Sequence, residues 1–453
     1  MPDDMPVLPV RSAIGAFRLA LLTFAWVVSL ASIILGKPHG VMTAAGAVAL
    51  GFFILLTLPR LRRDSLIILL LLGCLLLVTL DDVPGFAVMV RAGERVLIFA
   101  ALLPTMALVR ATAMTMPSVH ATQQRLGRLP AKASAGGLQL AAHVFGGIIN
   151  TGAFAILSAA LPSNSDPQRR RIAAEAAIRG MVVSSAWSPF FVAFAIGQIF
   201  VAPAYAWMAI AIGTISALLF MLTTILFLQR GFALAQLRQS LACLRPVAGR
   251  LVIVLAAVLL VAVVMKLTAL SAVVAVMPVL VLVHMLRHRD KVRAIMSDTR
   301  HAMDRTTDDI VVITAAMLVA FFAIESGSLA TLVAGVYSGV IPGWIALLAV
   351  PVLMMVLSVF GIHPVITSTA LLAIFSGGGA NVHPALLVQS HLIGWGAGTM
   401  SSVASLSVLT SATLYQVPTR QLVFGPNIVS GFVYAVVGGG VLGIVNMVIG
   451  QTY

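Results

Sequence analysis

The chain has 453 residues, 60% hydrophobic and only 9% charged, with a mean hydropathy of +1.08 and a formal net charge of +14. Soluble domains carry about 25% charged residues, so a water-soluble enzyme is excluded, and two cysteines exclude a secreted disulfide scaffold. The basic residues flank apolar runs and form no stripe with interleaved aromatics, which excludes a nucleic-acid binder.

An all-α polytopic membrane protein is what this composition predicts. Residues 1–36 hold a first crossing, Phe17 to Gly36, with no small-residue cleavage site behind it, so it reads as a retained helix and not a signal peptide. Crossings follow at Gly40 to Leu58, Ser65 to Leu80, Val96 to Met114, Ile178 to Val201 and Ala204 to Leu228. The later ones are Leu251 to Met265, Leu267 to Leu286, Ile310 to Ile324, Ile393 to Val417 and Ile428 to Ile449, about eleven in all.

Two apolar stretches, Gly136 to Leu161 and Trp344 to Phe375, do not fit as simple crossings. Short cytoplasmic loops carry the Lys and Arg excess. Arg110, Arg125, Arg128 and Lys132 precede the first stretch and Arg169, Arg170 and Arg171 follow it, so both its flanks are expected inside. It reads as a re-entrant hairpin over 136–161. The second, 344–375, has nearly uncharged flanks, including the run from Ser376 to Pro384, and reads as a hairpin entering from outside. Between the halves, 229–250 is a basic cytoplasmic linker, and Leu251 to Leu286 is an out-and-back pair turning near Lys266. The basic stretches Gln229 to Arg250 and Arg287 to Arg305 are expected to lie on the cytoplasmic surface. The N-terminus is then cytoplasmic and the C-terminus external, as expected for a bacterial inner-membrane protein.

An internal repeat is legible. Asn150-Thr151-Gly152-Ala153 parallels Thr367-Ser368-Thr369-Ala370, and Ser184-Ser185-Ala186-Trp187-Ser188 parallels Ser401-Ser402-Val403-Ala404-Ser405, both at an offset of 217. Glu94 parallels Asp309 at 215. With the opposed hairpins, this predicts inverted repeats over 40–228 (broken helix 178–201) and 251–453 (broken helix 393–417), the plan of secondary transporters that bind solute where interrupted helices meet.

The expected site lies at the four breaks. Hairpin tips at Asn150-Thr151 and Thr367-Ser368-Thr369 free backbone groups that survive at membrane depth only inside protein or a wet cavity. Carbonyls with Asn150, Ser184, Thr367, Ser368 and Ser401 form a neutral oxygen cage suited to sodium. Half-helix N-termini with Asn150, Thr151, Ser368, Thr369, Ser185, Ser188, Ser402 and Ser405 suit an anionic solute. His363, beside the second tip, is the candidate for proton coupling, with His143 behind it. Glu94, Asp309 and Glu325 read as carboxylates near helix ends, and Lys266 as a snorkelling lysine.

These residues resemble the ion transporter superfamily, which contains the divalent anion/sodium symporters. Symporters of that family carry Ser-Asn-Thr at both tips; this chain has Ile149-Asn150-Thr151 and Thr367-Ser368-Thr369. The resemblance implies an ion and carboxylate site at Asn150, Thr151, Ser368 and Thr369, closed by the broken-helix serines. It also implies an elevator mechanism on a dimeric scaffold, with horizontal linkers at Pro117 to Ala135 and Ser326 to Pro342. The expected function is secondary transport, not enzymatic, of a small anionic organic solute, without cofactors and driven by sodium or protons. The alternatives are a proton-coupled exporter on the same scaffold, or a membrane-embedded enzyme acting on lipid-linked substrates.

Overall fold

The computed structural model describes residues 13–36, 40–80, 84–162, 164–229, 232–326, 341–376 and 380–450. The first half comprises α1 (Ala13–Ile34), α2 (Val41–Thr57), α3 (Arg63–Thr79), α4 (Phe86–Met114), α5 (Pro117–Gly127), α6 (Ala131–Ile149), α7 (Gly152–Ser158), α8 (Pro167–Val183), α9 (Val192–Gly197) and α10 (Pro203–Leu228). A linker helix, α11 (Leu234–Cys243), leads to α12 (Arg245–Val264), α13 (Ala269–Arg287), α14 (Val292–Arg305) and α15 (Thr307–Ser326). The chain then forms α16 (Gly343–Val359), α17 (Pro364–Ile374), α18 (Pro384–Ser401), α19 (Leu406–Tyr415), α20 (Thr419–Val423) and α21 (Pro426–Gly450). Among the described residues the only β feature is an isolated bridge between Ile341 and Ala380.

Eight stretches among the described residues are long and apolar enough to span a bilayer: α1, α2 with its terminal turn, α4, α10, α12, α13, the interrupted pair α18–α19, and α21. The other three expected crossings coincide with α3, α15 and the interrupted pair α8–α9. The molecule is a polytopic all-α membrane protein. Within α4, 78% of the apolar window is buried against 17% in α12, so α4 is a central post and α12 faces lipid.

Proline at the first turn starts α5, α8, α10, α17 and α18, where its missing N–H costs nothing. Asp166, Thr268 and Ser405 cap α8, α13 and α19, each accepting from a backbone N–H inside the first turn. The turn between α12 and α13 falls at Lys266, with φ +52°. Basic loops meet at one end of the bundle, where Arg125 donates to the Ala242 carbonyl and Arg250 to Ser118 Oγ.

Besides α8, which begins at Pro167 instead of Ile178, four boundaries differ from the sequence expectation. The linker 229–250 contains α11 and the start of α12, because Leu234 to Cys243 forms a helix of its own. Glu94 lies well inside α4, accepting from Thr43 Oγ1 at 2.7 Å and Gly40 N at 3.2 Å. α18 begins at Pro384 instead of Ile393. The fourth, the second hairpin turn, is described with the site. The stretch Ser326 to Pro342 falls largely outside the described residues.

Candidate functional site

The first hairpin breaks where expected. Asn150 ends α6 with φ 52° and ψ −133°, and Thr151 follows at φ −57°, ψ −18°. These are the central angles of a type II′ turn, whose first position favours glycine. A non-glycine there stores about 1–3 kcal/mol of backbone strain. The side chains of Asn150 and Thr151 stay partly exposed.

The second hairpin breaks nearly two turns earlier than expected. α16 ends at Val359, Gly361 takes φ +86°, and Pro364 starts α17, so the turn is Phe360 to His363. Thr367, Ser368 and Thr369 are therefore helical and buried instead of forming the tip. A glycine followed by a helix-starting proline is a stronger turn signal than hydroxyl side chains, which a helix accepts by bonding back to its own carbonyls. Thr367 Oγ1 does this, donating to Pro364 O at 3.2 Å. Thr369 Oγ1 is buried with no hydrogen-bond partner.

Both longer helices are interrupted at the serine clusters. After α8 the chain makes a 3₁₀ turn over Ser184–Ala186 and runs irregularly to α9. Ser184 and Ser185 donate to Met181 O at 2.5 Å and Val182 O at 2.7 Å, and Ser188 donates to the Gly147 carbonyl in the first hairpin. In the second half, Ser402 to Ser405 separate α18 from α19. Ser402 Oγ accepts from Ala404 N at 3.3 Å, and Ser405 Oγ donates to Thr399 O at 2.6 Å. Ser401 Oγ is buried and unpartnered.

The second half of each interrupted helix packs against the other half of the molecule. α9 lies against α17 and α18, while α19 lies against α7 and α8. Gly396 makes room on α18 for the first break, since a Cβ there would stand 3.3 Å from Val182 O and 3.6 Å from Ser185 Oγ. Buried Arg179 on α8 donates to Asn427 Oδ1 at 2.7 Å, a further tie across the halves.

Each half contains a histidine beside a tryptophan. His143 on α6 and Trp187 in the first break have ring centroids 5.8 Å apart, and Trp187 Nε1 donates to His143 Nε2 at 3.1 Å. His391 and Trp395, both on α18, have centroids 6.0 Å apart. His391 falls upstream of the Ile393 start that hydropathy predicts; Pro384 after a glycine-rich run marks the start of the helix. His391 is fully buried, with Nδ1 3.0 Å from Ser368 Oγ and Nε2 2.9 Å from the Ala193 carbonyl of α9. His363 caps α17, its Nδ1 accepting from Val365 N at 3.2 Å.

Arg110 on α4, read from sequence as a topology signal, lies at the first tip. A Cβ on Gly152 would stand 3.0 Å from its side-chain methylenes, and Arg110 itself is exposed. A cation thus stands beside Asn150 and Thr151. At the opposite end of α4, a polar cavity of about 370 Å³ is lined by Glu94, Arg95, Gln198, Thr268 and Ser271. Gln198 and Ile199 in its wall belong to the 3₁₀ turn directly after α9. Among the described residues, no group of three or more His, Cys, Asp or Glu is arranged to hold a metal ion.

No protein-family model matches the chain, and no curated protein matches it. Among solved structures it is similar to the YdaH transporter of Alcanivorax borkumensis, whose crystal structure is described as revealing an unusual topology. The identity is 16%, the TM-score 0.47, and the likeness covers 86% of this chain and 99% of that one. At that distance the likeness assigns neither substrate nor coupling ion.

Proposed function

We propose that the protein is a secondary active transporter carrying a small organic anion of carboxylate type, driven by a sodium or proton gradient. The observation that carries this reading is the crosswise packing of the interrupted helices, α9 on α17 and α18, α19 on α7 and α8. Unpaired backbone in an apolar bundle costs several kcal/mol per group unless it lines a site or is covered, and here the breaks of both halves are covered by each other. That is the arrangement by which carriers hold solute between two repeats.

Arg110 beside the first tip and the N-terminal end of α17 supply positive potential for the anion. Asn150, Thr151, Ser185, Ser188, Ser368, Thr369, Ser402 and Ser405 would supply its hydrogen bonds. The carbonyls around Ser184, Thr367 and Ser401 would suit a monovalent cation. The hairpins and interrupted helices would move together against a scaffold of α1–α5 and α12–α15, an elevator motion in a homodimer. The Arg-rich loops would face the cytoplasm, with the polar cavity beside Glu94 and Arg95 as the outer approach.

Purified protein in liposomes, assayed with labelled benzoate, succinate and glutamate under imposed sodium or pH gradients, tests the reading. Saturable, gradient-dependent uptake of one of them is expected. Arg110→Gln should lower its apparent affinity by about tenfold, the loss of a charge-assisted hydrogen bond of roughly 1.4 kcal/mol. Asn150→Ala with Ser368→Ala should abolish saturable uptake and lower the melting temperature, because the second substitution leaves buried His391 Nδ1 without its partner. Non-saturating flux indifferent to gradients would replace the carrier with a channel.

A further inference from the structure

The polar cavity beside Glu94 and Arg95 is walled by α1, α2, α4, α13 and α15 together with the turn that follows α9. At about 370 Å³ it lies within the range of small-molecule sites, about 300–1,000 Å³. Its wall combines hydrogen-bond donors with apolar side chains, and the donors include a full positive charge.

Arg95 lies inside α4, past its second turn, where a charge in a membrane protein marks a functional position by default. Among the described residues its guanidinium meets no carboxylate and no hydrogen-bond acceptor; it lies over the face of Phe321, 5.3 Å from the ring centroid. Stacking of that kind holds the plane of the group and leaves its N–H edge for a ligand. Glu94, its neighbour in sequence, turns its carboxylate to the start of α2, accepting from Thr43 Oγ1 and Gly40 N, so its charge serves that helix end.

Two further donors share the wall. Gln198 has its Oε1 enclosed and unpartnered, so the open end of its amide is Nε2, a donor. Ser271 Oγ receives the Thr268 hydroxyl hydrogen at 3.0 Å and keeps its own hydrogen to give. The rest of the surface is apolar, with Ile33, Ile199, Met317 and Phe321 among its side chains.

We infer that this cavity is a binding site for a singly charged carboxylate with an apolar body, its carboxylate on Arg95 with Gln198 and Ser271 donating. One uncommitted cation neutralises one carboxylate. A second carboxylate on the same solute would be left against apolar wall without a partner, which disfavours dicarboxylates. The site spans a seam, because Gln198 directly follows α9 whereas Arg95 stands on α4. An anion held between them ties the interrupted helix of the first half to the central post. As a step in transport, which rests on the carrier reading above, this is where the solute waits before α9 moves.

Equilibrium binding of labelled benzoate to the full chain in lipid nanodiscs tests the site without any need for transport. It is measured in an Arg110→Gln background, so that the first tip does not contribute. Saturable binding is expected there, and adding Arg95→Gln should weaken it about tenfold, the loss of one charge-assisted pair. Arg95→Lys should recover part of that loss. Gln198→Leu should weaken binding by a smaller factor, and it serves as the test if Arg95→Gln lowers the melting temperature. Succinate and the uncharged benzyl alcohol should each compete only at concentrations about tenfold or more above benzoate. Absence of saturable binding overturns the assignment, as does an affinity that neither variant changes. Benzyl alcohol competing as well as benzoate also overturns it, since the cavity would then be an apolar slot with no use for a charge. If liposomes take up none of the three anions, the carrier reading fails on its own, and binding in nanodiscs still decides the site.

Discussion

The two halves solve the same local problem in opposite ways. At the first tip the chain places asparagine in a turn position suited to glycine, keeping a polar side chain at the bend; at the second, Gly361 makes the bend and the hydroxyls withdraw into α17. The histidine pairs divide likewise. His143 is fixed by an indole donor, whereas His391 sits between an acceptor and a hydroxyl that serves as either. The first half therefore has a strained turn with partly exposed polar side chains, and the second a relaxed turn with its hydroxyls and His391 buried.

The most disruptive way to break this comparison is Gly180→Ala. Its Cβ would stand 2.1 Å from the Gln139 carbonyl oxygen, which is backbone, so α6 and α8 must separate and the His143 acceptor moves with them. We expect a loss of about 3 kcal/mol and a clearly lowered melting temperature. At the seam where α9 meets the second half, Gly197→Ala meets Val388 Cγ1 at 3.0 Å and His391 Cδ2 at 3.3 Å, side-chain atoms that can yield, and should cost less in the same melt.

Trp187→Phe leaves His143 Nε2 buried without its donor and should cost about 1–2 kcal/mol, read in thermal or denaturant unfolding. Asn150→Gly should act in the other direction. Relief of the strained turn should stabilise the fold by about 1 kcal/mol while saturable uptake falls, separating the strain from its use. The smallest effect is expected at the cap of α17, where His363→Ala should cost about 0.5–1 kcal/mol and His363→Asn should restore most of it.

The apolar spans, the Lys266 turn and the interruptions at Ser184 and Ser401 were legible in the sequence, because charge at loop ends and polar breaks in apolar runs are local signals. The second tip is not legible from hydroxyl residues, which sit comfortably in buried helices; the Gly361 and Pro364 pair marks it. His391 and Arg110 were missed for a different reason. What matters about each is its neighbour, Ala193 in one case and Gly152 in the other, and such pairings across the fold leave no mark at either position.

The crosswise seating of α9 and α19 also has a consequence for how the protein is made. As the ribosome delivers the first half, the surface of α7 and α8 that α19 will cover stands open, and α9 waits for α17 and α18. Among the described residues of the first 228, none covers these surfaces in the way the finished molecule does. The nascent chain thus depends on membrane chaperones or on speed until nearly the whole sequence has been inserted, and a product ending after α10 should be cleared by membrane proteases while the full chain persists.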